Sequence, residues 1–146
     1  MKKRVLIARL LLVIYITIIA FLCLHTFKDT PVIPKKLWGY PGDKVVHFFM
    51  FVPLPYITYA AYDKKNYKYA TTLLVFLGII LIGTFVAGGS EIAQYLFTQH
   101  RKADLKDFYA DMCAIIPGTA IVCIFDFLHS VVKRRHSRGI SARKSA

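Results

Sequence analysis

Apolar residues along this chain fall in long blocks, not in the short stripes of an amphipathic helix or an alternating strand. Val5–Leu24 reads VLIARLLLVIYITIIAFLCL with Arg9 as its one charge, and Val45–Tyr62, Ala70–Gly88 and Phe108–Leu128 are the other blocks. A hydrocarbon core about 30 Å thick takes roughly 20 residues at about 1.5 Å each, and every block comes close to that. Lipid offers no partners to backbone N–H and C=O groups, so the blocks predict helices. A soluble bundle needs a polar face on each helix, and residues 10–24 and 70–88 have none. The expected fold class is all-α: a polytopic bundle of four transmembrane helices at about 5–24, 45–62, 70–88 (extending to about 97) and 108–129. Residues 1–132 make one domain in this reading, and 133–146 a basic cytoplasmic tail.

Proline and glycine punctuate the blocks. Pro53 and Pro55 must break or kink the second span, and Pro117 with Gly118 interrupts the fourth. Gly78, Gly83, Gly88 and Gly89 let the third span approach its neighbours closely. Between the first two spans, Pro31, Pro34 and Pro41 favour extended backbone, while Trp38 and Tyr40 suit the headgroup layer. The loop from Asp63 to Lys68 is short, so spans two and three form a tight hairpin. Lys2, Lys3 and Arg4 before the first block resemble the basic end of a signal peptide, but no A-x-A site follows, and Phe21-Leu22 before Cys23 argues against lipoprotein processing. The first block is read as an uncleaved span.

Charge then orients the bundle. The formal net charge of +12 suggests nucleic acid until it is divided among the loops. Four spans place Lys2, Lys3, Arg4, Arg9, Lys64, Lys65, Lys68, Lys133, Arg134, Arg135, Arg138, Arg143 and Lys144 on one side. The other side holds Lys28, Lys35, Lys36, Lys44, Arg101, Lys102 and Lys106. The richer side, with its short flanks, is cytoplasmic by the positive-inside rule, and both termini lie there. The tail acts as a stop-transfer flank that meets anionic lipid. The expected partner is therefore a lipid bilayer, and nucleic acid is not one. Cys23, Cys113 and Cys123 fall inside spans without metal spacing and read as small core residues.

Candidate chemistry gathers at the outer ends of spans two to four. Asp43 and His47 (i, i+4) share a face, with Lys44 beside them. Glu91 and Gln94 (i, i+3) share another, and Asp104, Asp107 and Asp111 line a third after Arg101. Each set has an ordinary structural use: acidic residues at a helix start, interfacial cations, or polar glue between helices. Three sets at one depth point instead to a shared pocket. The stretches Asp43-Lys44-Val-Val-His47, Glu91-Ile-Ala-Gln94 and Arg101-Lys-Ala-Asp104-Leu-Lys-Asp107-Phe-Tyr-Ala-Asp111 resemble the VanZ-like membrane proteins, whose pattern is D-K-x-x-H, E-x-x-Q and R-x-x-D-x-x-D-x-x-x-N. The resemblance runs from about Gly42 to Gly118. Asp111 stands where that family usually has Asn, and Ala114 where it often has Gly. The resemblance implies a membrane protein and a link, through the family's namesake, to resistance against the glycopeptide teicoplanin; it assigns no biochemical activity.

Three functions follow. An enzyme acting on a lipid-linked envelope component would use His47, Glu91 and Asp107 as candidate catalytic residues, with His47 as acid or base near neutral pH. Asp43, Lys44, Gln94, Arg101, Asp104 and Asp111 are the candidate substrate-binding residues, and Lys44 and Arg101 suit a phosphate or carboxylate. Asp104, Asp107 and Asp111 repel one another unless a proton or a divalent cation sits among them, which admits Mg²⁺ or Ca²⁺ as a cofactor although no metal ligand is assigned. A non-catalytic module would bind a lipid, a glycopeptide or an envelope protein through the same pocket. A small transporter is the weaker reading, because it would need polar groups deeper in the membrane, and the spans offer few beyond Thr17, Thr84 and the inner-end Asp126.

Overall fold

The computed structural model describes residues 3–24, 36–62, 69–97 and 104–144, the last twelve and residues 69–71 by backbone alone. Arg101, residues 63–68 and both Pro31 and Pro34 lie outside the described residues. The described chain is all-α apart from one small hairpin: α1 (Lys3–Leu24), β1 (Lys36–Leu37), β2 (Tyr40–Pro41), α2 (Gly42–Phe51), α3 (Leu54–Ala61), α4 (Tyr69–Phe97) and α5 (Leu105–Lys144). Three helical stretches, Lys3–Leu24, Thr72–Phe97 and Leu105–Val132, are long and apolar enough to cross a membrane.

Side-chain bonds between elements give the helix directions. Arg9 Nε donates to the Ala61 carbonyl at 3.2 Å and Tyr15 Oη to that of Met50 at 2.8 Å, so α1 runs antiparallel to α2–α3. Thr72 meets Asp126, Thr84 meets Met112 and Asp104 meets Glu91, so α4 and α5 are also antiparallel. Lys44 and His47 climb α2 as Asp107 and Asp111 climb α5, so those two helices run the same way. The result is an up-down-up-down bundle in which the start of α1 and the far half of α5 lie at the same end. The basic segment 133–144 continues α5 without a break.

The second apolar block is broken where Pro53 and Pro55 remove two backbone donors. Helix α2 ends at Phe51 and α3 starts at Leu54, with Val52 and Pro53 both still in right-handed helical conformation. The break is thus a kink, not a reversal, and Tyr15 donates from α1 to a carbonyl at its edge. Pro117 does less than the sequence suggests. Helix α5 continues through it, with the Pro117 ring exposed on the outer face of the bundle.

Two glycines of the long helices stand in close approach to a neighbour. A Cβ at Gly83 would stand 2.8 Å from Ile115 Cγ2, and one at Gly118 3.1 Å from the Pro55 ring. Gly78 and Gly89 would meet nothing within 4 Å, so the glycine-spaced third span packs tightly at one point only. Between these contacts Ile19, Cys23, Phe51, Leu54, Ala87, Ala114 and Ile115 form the main core. Of the three cysteines only Cys23 belongs to it; Cys113 is exposed and Cys123 half-buried.

Burial is inverted relative to a water-soluble protein. The interior holds His47, Glu91, Gln94, Asp107, Asp111, Thr119 and Asp126, while Leu10, Leu74, Phe85 and Phe125 are more than 60 % exposed. Such an exterior is stable only against an apolar solvent. The hairpin before α2 supplies the polar-edge counterpart. Its two-residue turn has positive φ at Trp38 (52°) and Gly39 (85°), the geometry that suits a tight antiparallel pair. Trp38 packs edge-on to Phe49 with ring centroids 6.1 Å apart.

Candidate functional site

The site is assembled from the first turns of α2 and α5 and the last turns of α4. Asp104 is the N-cap of α5: its Oδ1 accepts the Lys106 N–H at 2.9 Å, and its carbonyl receives the Asp107 N–H at 2.8 Å. Capping leaves the other carboxylate oxygen free to face α2. There Lys44 Nζ bonds Asp104 Oδ2 at 2.6 Å, Asp43 Oδ2 at 3.0 Å and, in the shortest contact of the three, Asp107 Oδ1. Burial alone would lower the Lys44 pKa, but its hydrogen bonds to Asp104, Asp107 and Asp43 outweigh that and hold it above the ordinary lysine value. The Lys44 hydrogen bond, with help from the Lys106 N–H, holds the Asp104 carboxyl below the usual aspartate range.

One turn deeper the helical spacing repeats the pairing. His47 lies three residues past Lys44, and Asp111 four past Asp107, so the same faces meet again. His47 Nδ1 and Asp111 Oδ1 are 3.1 Å apart, while His47 Nε2 and Asp107 Oδ2 are 4.0 Å apart. A proton on Nδ1 directed to Asp111 leaves Nε2 as the basic nitrogen. Asp111 is fully buried, His47 4 % exposed and Asp107 8 %.

Glu91 closes the cluster from α4. Its Oε2 accepts the backbone N–H of Asp104 at 3.0 Å, so α4 is tied to the residue that caps α5. Glu91 Oε1 and Asp111 Oδ2 are buried with no hydrogen-bond partner. Gln94 is 1 % exposed on the same side of α4, and with Ser90 its side chain lies within reach of the Cys23 thiol.

The structure therefore brings together Asp43, Lys44, His47, Glu91, Asp104, Asp107 and Asp111, with Gln94 adjoining. Sequence reasoning left two things out. One is an apolar groove between α1 and α4 of about 290 Å³, lined in part by Ile19, Cys23, Phe85, Gly89, Ser90 and Ala93. Ser90 and Ala93 flank Glu91 along α4, which is the one sequence cue to it. The other is a second polar cluster at the opposite end of the bundle, centred on Asp126.

The sequence model of the VanZ/LLP1 family matches residues 6–126. The chain belongs to the VanZ/LLP1 family. Neither the curated proteins nor the solved structures give a significant match. The matched span takes in nearly all of α1, all of α2 to α4, and every described residue of the site. Together with three apolar helices long enough to cross a bilayer, it makes this a VanZ-like membrane protein.

Proposed function

We propose that α2 and α3 form a fourth crossing over residues 45–62, that both termini are cytoplasmic in a bacterial plasma membrane, and that the site faces the outer interface. There it binds and acts on a lipid-linked component of the cell envelope. The supporting observation is the juxtaposition of a buried polar cluster with a lateral apolar groove. Ser90 lines the groove and Glu91, the next residue, lines the cluster. A polyprenyl or acyl chain in the groove would bring its head group to His47, Glu91 and Asp107. The kinked 45–62 segment has roughly the length a core about 30 Å thick requires. Glycopeptide resistance would follow if the bound component is the one such an antibiotic targets. A transport reading has less support, because between the two polar clusters the buried α5 residues include Ala114, Ile115 and Val122, with Thr119 turned onto its own helix.

The test of the site is retention of a polyprenyl phosphate, measured by native mass spectrometry from nanodiscs. Gly89→Phe should fill the groove, since a Cβ there meets nothing within 4 Å. Wild type should retain the lipid and Gly89→Phe should lose it; equal retention by both defeats the reading. Single cysteines at positions 38 and 140, in a background free of native cysteines, test the topology. Only position 38 should label from outside intact cells, and labelling at 140 would refute it.

A further inference from the structure

The charge balance of the cluster is at odds with an anionic head group. Asp43, Glu91, Asp104, Asp107 and Asp111 bring five carboxylates around one ammonium, Lys44, and one imidazole, His47. Lys44 is already bonded to three of them, so it has little charge to offer a phosphate. Among the described residues the one further cation beside the cluster is Lys106, whose charge acts on Asp104 and whose side chain is exposed.

The carboxylates farthest from Lys44 are arranged for a different partner. His47, Glu91 and Asp111 each offer one ligand-capable atom, all within 4.8 Å of one another. They come from three helices, and their residues are 4 %, 7 % and 0 % exposed. Glu91 and Asp111 each keep one buried oxygen that no donor meets. A buried carboxylate oxygen without a donor is costly, and two beside the same imidazole leave acceptor capacity that a cation would satisfy. Metal–ligand bonds of about 2.0–2.2 Å set ligand atoms roughly 3–3.6 Å apart, so rotations of about an ångström would complete the set.

We propose that His47, Glu91 and Asp111 bind a divalent transition metal, Zn²⁺ or Mn²⁺, whose remaining positions receive the phosphate of the lipid-linked head group. The donor set decides the class of ion. One imidazole nitrogen with two carboxylates suits Zn²⁺ or Mn²⁺, whereas Mg²⁺ and Ca²⁺ favour all-oxygen shells. It also separates this site from one among Asp104, Asp107 and Asp111, because Asp104 and Asp107 are occupied by Lys44. A bound divalent ion would offset the charge of the two carboxylates that hold it, and its open coordination positions would accept the phosphate that the cluster otherwise repels. This inference rests on the lipid-linked reading for its ligand, but not for the metal.

The test uses the full chain in nanodiscs of neutral lipid, stripped with a chelator, with no lipid-linked ligand present. Zn²⁺ uptake is read by elemental analysis and Mn²⁺ uptake by the loss of free-ion paramagnetic resonance. Wild type should bind one ion per chain and melt at a higher temperature with it. Glu91→Gln and Asp111→Asn should each weaken binding by about tenfold or more, the loss seen even for groups one step removed from a metal. Asp126→Asn, in the other buried cluster, should bind as wild type does. If stripped wild type takes up neither ion, or both variants bind normally, the proposal is wrong, and the wild-type result stands even if a variant fails to fold. Metal binding without polyprenyl phosphate retention would support the cation site and overturn the lipid-linked reading. Retention by fully stripped protein would show that the phosphate does not need the ion and would overturn its bridging role.

Discussion

Two polar clusters lie inside this bundle, one at each end, and they are built on opposite principles. At the end near the termini, Asp126 Oδ1 accepts the Tyr59 hydroxyl at 2.6 Å and its Oδ2 accepts the Thr72 hydroxyl at 3.1 Å. Ser130 bonds back to the Asp126 carbonyl at 2.7 Å, and Arg9 ties α1 to the end of α3. Both oxygens of that carboxylate are matched, and α3, α4 and α5 are joined by it. At the other end five carboxylates gather around Lys44 and His47, and Glu91 and Asp111 each keep an oxygen with no hydrogen-bond partner. A cluster with matched donors and acceptors holds helices together; one with surplus acceptors is prepared for something that arrives from outside.

Four measurements put that contrast at risk, in descending order of the stability each substitution should cost. Lys44→Met strands the Asp107 carboxylate, whose side chain is 12 % exposed, and should destabilise the folded protein by about 3 kcal/mol, the lower end for a broken buried pair. Melting in detergent would measure it. The intact pair also predicts a pH profile. Asp104, lowered from its ordinary value of 3.8, contributes stability above that value that is lost as pH falls through its depressed pKa. Lys44, raised from 10.5, contributes below that value and loses its contribution only as pH climbs through the raised pKa. The stability supplied by the pair should therefore be flat between those two ordinary values.

Gly83→Ala comes second. Its new methyl meets the fully buried Ile115, and an overpacked core costs about 1–3 kcal/mol. A neutral outcome would mean that the α4–α5 contact gives way more easily than its geometry implies. Tyr59→Phe should cost about 1 kcal/mol by removing one donor from Asp126, with polyprenyl phosphate retention unchanged. Lost retention would erase the division of labour between the two ends. Glu91→Gln should shift stability least, by less than the about 1 kcal/mol of one hydrogen bond, because the amide oxygen can still accept the Asp104 N–H. Metal uptake and lipid retention should nevertheless fail. Full retention of both would make the surplus acceptors a feature of the fold alone.

Much of this architecture can be read from residue order because lipid leaves the backbone so few choices. The blocks 5–24, 70–88 and 108–128 had to be helices, and Pro53 with Pro55 located the kink. Convergence of the site was legible too, since spacings of three and four put 43/47, 104/107 and 107/111 on single faces. The pairings within it were not. Lys44 had an equally good reading as an interfacial anchor, and nothing local says that it meets Asp104 and Asp107 some sixty residues on. The Asp126 cluster stayed hidden for the same reason, because its partners Tyr59 and Thr72 lie on other helices. The hairpin escaped because Trp38 takes a left-handed conformation where Asn or Asp is the usual signal.

The bond from Tyr15 to the Met50 carbonyl bears on the order of assembly. A helix with two missing backbone donors is an awkward passenger in lipid, where each unsatisfied carbonyl costs several kcal/mol. In the crossing proposed for residues 45–62, synthesis delivers α1 first, so a donor already waits when the kinked segment arrives. A rearranged gene that made α1 last would reverse that sequence. The kinked segment would then have to enter the bilayer unescorted, and the protein's yield, more than its final stability, should register the difference.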